Sequence, residues 1–83
     1  MTADDVLARA IELIRAGNKA EARQLLEPYI QANPQHVAAW LWEARAHCSN
    51  ESRIQVLEQC LAHNPDDRLT RQALAALYTQ MAV

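Results

Sequence analysis

An all-α protein built from packed helix pairs is predicted by three observations. Apolar residues recur at helical rather than alternating spacing along nearly the whole chain. The 51% hydrophobic content is rich in alanine and poor in β-branched residues, and only one glycine occurs in 83 residues. Such a composition suits closely packed helices and argues against strands. The dipeptide Asn-Pro occurs at 33–34 and again at 64–65, and each copy reads as a helix stop followed by a fresh start. Together these features predict one domain over 1–83 with five helices, at 3–16, 19–32, 36–48, 51–63 and 67–81.

In the first segment, Thr2 is placed to cap, with Asp5 three residues on as an acidic variant of the capping box. Val6, Ala10, Leu13 and Gly17 form one stripe, and Leu7, Ile11 and Ile14 the stripe beside it. Ala16-Gly17-Asn18 supplies the glycine stop. Asn18 also precedes Glu21 at capping-box spacing, and the pattern Ala22, Leu25, Leu26, Tyr29, Ile30 follows. Pro28 lies inside that pattern; because the apolar period runs through it, a bend rather than a break is expected.

The stretch from Val37 to Cys48 is the centre of the chain. A helix turns by about 100° per residue, so Trp40 and Trp42 look to opposite sides. One stripe carries Val37, Trp40, Leu41, Ala44 and His47; the other carries Ala38, Trp42, Arg45 and Ser49. A helix apolar on two sides is either wedged between neighbours or offers a docking surface. Ser49 or Asn50 caps a fourth helix bearing Ile54, Val56, Leu57, Cys60 and Leu61. Asp66 or Asp67 caps a fifth, where Leu74, Leu77, Tyr78 and Met81 share a face.

The chain repeats itself. Residues 26–34 align with 57–65 at a shift of 31, and a small residue stands ten positions after each proline, Ala44 and Ala75, as Ala10 does in the first helix. Ala10, Gly17, Ala22, Leu26, Tyr29 and Pro34, then Trp40, Ala44, Leu57 and Pro65, then Leu74, Ala75 and Tyr78, resemble the tetratricopeptide repeat (TPR) family from about Ala3 to Met81. The resemblance implies an α-α superhelix of about two and a half helix-turn-helix units. The second unit departs from the pattern: it is three residues short of the usual length of about 34, lacks the turn glycine and carries Arg53 where a small residue is expected.

In that family the first helices of successive units line a concave groove that receives a peptide or partner helix. Carried onto this chain, the resemblance implies a groove lined by Leu7, Ile11, Ile14, Arg15, Leu41, Trp42, Arg45 and Ser49, continued by Leu69, Gln72, Ala73 and Ala76. The expected ligand is an apolar helix or extended segment, anchored on Trp42 and paired with Arg45 through a carboxylate. The function expected is therefore a non-catalytic protein-interaction module. The alternatives are a structural or accessory subunit of a larger complex or homodimer, and, third, a metal or redox protein.

A net charge of −2 gives no broad positive field for nucleic acid. No run is long enough to span a bilayer, the acidic start does not read as a signal peptide, and a cytoplasmic location is expected. Adjacent His47 and Cys48 point about 100° apart on a helix, which disfavours a nucleophile and base. Cys60 and His63 offer two metal ligands, and zinc would need Cys48 with His47 or His36 to join them. Glu27 and Glu58 repeat with the unit and read as solvated charges. No catalytic residue, metal or cofactor is expected.

Overall fold

The computed structural model describes residues 3–81 and is all-helical: α1 (Ala3–Arg15), α2 (Lys19–Ala32), α3 (Val37–Arg45), α4 (Asn50–His63) and α5 (Arg68–Met81). Each helix packs on its chain neighbour and α1 also touches α3, which gives a slab of 40 × 27 × 15 Å. Thr2, the residue expected to cap α1, lies outside the described residues. Among the described residues no helix is long and apolar enough to cross a membrane.

The internal repeat is visible in side-chain geometry. Asn33 Nδ2 donates to the Tyr29 carbonyl at 3.0 Å, and Asn64 Nδ2 donates to the Cys60 carbonyl at 3.1 Å. Trp40 Nε1 donates to the Pro34 carbonyl at 2.8 Å, and Arg71 Nη2 donates to the Pro65 carbonyl at 2.6 Å. His36 Nδ1 accepts the Ala39 N–H at the start of α3, and Asp67 Oδ2 accepts the Thr70 N–H at the start of α5. Every pair is related by the same 31-residue shift. The repeated turn is therefore built by different side chains doing the same job of satisfying the free groups at helix ends.

Gly17 has φ +88° and ends α1 with two bonds, Asn18 N to Leu13 O at 2.8 Å and Gly17 N to Ile14 O at 3.1 Å. That is the Schellman pattern, which needs a left-handed residue at this position. A Cβ here would meet nothing within 4 Å, so Gly17→Ala tests backbone strain alone. A loss of about 1 kcal/mol in chemical denaturation is expected; a stability gain would remove the conformational argument.

Asn18 stands at the N-cap of α2 without a side-chain cap bond, and α2 runs unbroken through Pro28. Ser49 caps α4, its Oγ accepting the Ser52 N–H at 3.1 Å. The third helix stops at Arg45 rather than at Cys48. Arg23 Nη1 reaches the Ala46 carbonyl at 2.6 Å and Arg53 Nε reaches the His47 carbonyl at 2.9 Å. Two guanidinium groups from α2 and α4 thus take the places that further helical N–H groups would fill. The shortness of the second unit falls here, and Arg53 is the device that accommodates it.

The core is built from alanines where helices cross and larger side chains between them. Ala10, Ala22, Ala39 and Ala46 are fully buried and let helices approach closely, while Leu26, Leu57, Ile30 and Trp40 fill the space beside them. Ala75, the counterpart of Ala44 in the next unit, is exposed. Among the described residues, no later helix covers that side of α5.

Candidate functional site

The two tryptophans do face apart. Trp40 is buried, hydrogen-bonded to the Pro34 carbonyl and stacked on His63 with ring centroids 6.0 Å apart. Trp42 is half-buried and carries the Arg45 guanidinium over its ring, 5.0 Å from the centroid, a cation–π contact that holds the cation in place. α3 borders two distinct concavities, and Trp42 is among the walls of neither.

The first is an apolar groove of about 390 Å³ between α3, α4 and α5, with Leu41, Arg45, Leu57, Leu69, Ala73 and Leu77 among its walls. Leu69 is 59% exposed, an unusual position for a large apolar side chain. Of the residues singled out from the sequence, Leu41 and Arg45 line this groove, and Ala73, Ala76 and Leu69 do so from α5. Leu7, Ile14 and Trp42 are half-buried against the core, Ile11 is half-buried on α1, and Arg15 is exposed in its last turn. Ser49 is exposed, with its hydroxyl engaged by Ser52 in capping α4.

The second concavity, of about 310 Å³, has mixed polar and apolar walls and lies on the other side of α3, between α2 and α4. Glu27 of α2, Glu43 of α3 and His47 just beyond α3 meet there, with one ligand atom from each within 4.8 Å of the others. His47 Nε2 is 3.2 Å from Glu43 Oε1, whereas Glu43 Oε2 is buried with no hydrogen-bond partner. Burial pushes the Glu43 carboxyl up to about 7, helped by the negative charge of Glu27 and opposed by Arg23. Burial, with Arg23, lowers the pKa of His47. A carboxyl and an imidazole share one contact here, and the remaining carboxyl oxygen has no partner.

The sequence placed Glu43 on neither stripe of α3 and took Glu27 for a solvated charge. One signal was available: Glu43 stands three residues after Trp40 and four before His47, so it shares their side of the helix. The thiols do not contribute to this cluster. Cys60 is buried against Thr70 Oγ1 at 3.3 Å, with its pKa raised mainly by burial, and Cys48 is exposed. His63 is taken up by the Trp40 stack and His36 by capping α3.

A family model for the tetratricopeptide repeat matches residues 3–48, which is more than half of the chain. The chain belongs to the tetratricopeptide repeat family. It is also similar to a peroxisomal targeting signal receptor of Pichia angusta, 33% identical over a 78-residue alignment covering 89% of this chain. The chain spans 14% of that relative's length. No solved structure matches it. Membership of a TPR family makes the chain a protein-interaction module in the general sense, in a family that is generally non-catalytic.

Proposed function

We propose that the chain is a non-catalytic cytoplasmic adaptor that receives one apolar helix or extended segment of a protein partner in the groove between α3 and α5. The observation that carries this reading is the exposed Leu69, which lines an apolar concavity together with Leu41 and Arg45. An apolar side chain of the partner would gain by leaving water there, and a carboxylate beside it would meet the Arg45 cation. The Pichia angusta relative is named a receptor for a targeting signal; recognition of a signal borne by another protein is the matching role proposed for this chain.

A displayed peptide library panned on the chain should enrich segments that pair two apolar anchors with an acidic residue. Leu69→Asp should weaken the best of them by at least about tenfold, since buried anchors carry most of the energy in such contacts. Leu69 is exposed enough for this change to spare the fold, which circular dichroism checks. Unchanged affinity in folded Leu69→Asp removes the groove from the function, and a monomer–dimer equilibrium abolished by the same change would favour the homodimer reading instead.

A further inference from the structure

We propose that Glu27, Glu43 and His47 form a binding site for a divalent transition-metal ion of the zinc type, held by two carboxylates and one imidazole and completed by water. The site faces α2 and α4, away from the apolar groove, and does not depend on the groove being a partner site.

Three features support it. Glu43 is only 3% exposed; it lines the second concavity, and its Oε2 is buried without any hydrogen-bond partner. An orphaned buried carboxyl oxygen is costly and calls for a proton or a cation. The 3.2 Å between His47 Nε2 and Glu43 Oε1 matches the edge of about 3.3 Å in a tetrahedron with metal–ligand bonds of about 2.0 Å. These two atoms already stand as neighbouring ligands would. Glu27, the third, has its ligand atom within 4.8 Å and is exposed, so its side chain is free to swing inward.

Arg23 and Arg53 keep their positive charge near the cluster, so the carboxylates must offset them as well as the ion. A nitrogen–oxygen donor set without thiolate suits zinc and its first-row neighbours. The nearby cations, Arg23 and Arg53, are engaged on the Ala46 and His47 carbonyls. They pin the backbone that carries the imidazole. Ser52 and Gln55 line the same concavity and bring further polar groups for metal-bound water.

The test uses chelator-stripped protein carrying Cys48→Ser, so that the exposed thiol does not compete. Zn²⁺ is titrated by calorimetry, and Co²⁺ is titrated while visible absorption is followed. One ion per chain is expected, with a cobalt spectrum free of thiolate charge transfer. Affinity should fall at least about tenfold in Glu27→Gln and about a hundredfold in His47→Gln. Glu27 is exposed, so its variant keeps the test decisive even if His47→Gln disturbs the end of α3. The proposal is overturned if Zn²⁺ fails to bind, if either variant binds it unchanged, or if the cobalt spectrum carries a thiolate band.

Discussion

Trp40→Ala is expected to cost about 3–5 kcal/mol, a large share of the stability of a domain of this size. Trp40 is 6% exposed and stands where the turn between the first two helix pairs meets the second Asn-Pro turn. Its indole fills the space beside Ile30 and Val56, stacks on His63 and hydrogen-bonds the Pro34 carbonyl. Alanine would leave a cavity and free His63, and the close-packed alanine crossings nearby have no slack to fill it. Trp40→Phe keeps an aromatic ring but removes the hydrogen bond and part of the buried volume. The Pro34 carbonyl keeps the Asn64 Nδ2 donor at 2.9 Å, so phenylalanine should cost about 1 kcal/mol for the bond, plus a cavity cost for the lost part of the indole, and less than alanine in all. Trp42→Ala, two residues on, should also cost about 1 kcal/mol, because Trp42 is half-buried and its main polar contact is an exposed arginine. Equal losses for Trp40→Ala and Trp42→Ala in urea denaturation would overturn this account of the two sides of α3.

The same comparison shows what was legible in the sequence. Helical spacing, the two Asn-Pro stops and the 31-residue shift were enough for the five helices and the repeat, because those signals are local. Gly17 was legible for the same reason, since a left-handed stop is written in one residue. The early end of α3 was not legible. It depends on Arg23 and Arg53 arriving from other helices to take up the Ala46 and His47 carbonyls. His36 caps α3 with a ring nitrogen, which no sequence signal had marked, and Asn18, with the right chemistry at the right place, makes no cap bond. Glu27 is exposed, as the sequence reading had it, and what that reading left out is the neighbour it meets. Its counterpart Glu58 accepts a bond from the exposed Tyr78 hydroxyl at 2.6 Å, whereas Glu27 stands near the buried Glu43 carboxyl of α3. A repeat predicts the helix position of a residue but not which neighbour the next unit brings to it.

Glu43→Gln is expected to stabilise the metal-free protein by up to about 3 kcal/mol above neutral pH and to change it little near pH 4.5. Glu43's carboxyl is raised from 4.5 to about 7 in the folded chain, first by burial, then by Glu27, against the pull of Arg23. The folded state thus holds this proton more tightly than the unfolded state does. Its favourable contribution is fully present below about 4.5, and is lost as the pH rises to about 7. Glutamine keeps the shape and carries no charge at any pH, so it escapes that loss. His47 acts in the opposite direction: its lowered pKa means that folding becomes less favourable as the pH falls below the ordinary value of 6.5. The wild-type profile in chelator therefore reflects two groups of opposite slope, with Arg23, Arg53 and Glu27 setting the field around His47. The difference between wild type and Glu43→Gln reports the carboxyl together with its contact to His47. Denaturation at several pH values from 4.5 to 8 should show that difference opening up to about pH 7 and levelling off above it. A constant difference, or a variant less stable than wild type at pH 8, would mean that the Glu43 carboxylate is already satisfied when the protein folds without metal. The case for a cation completing it would then lose its physical ground, since the cost of the unpartnered oxygen is what a bound ion would relieve.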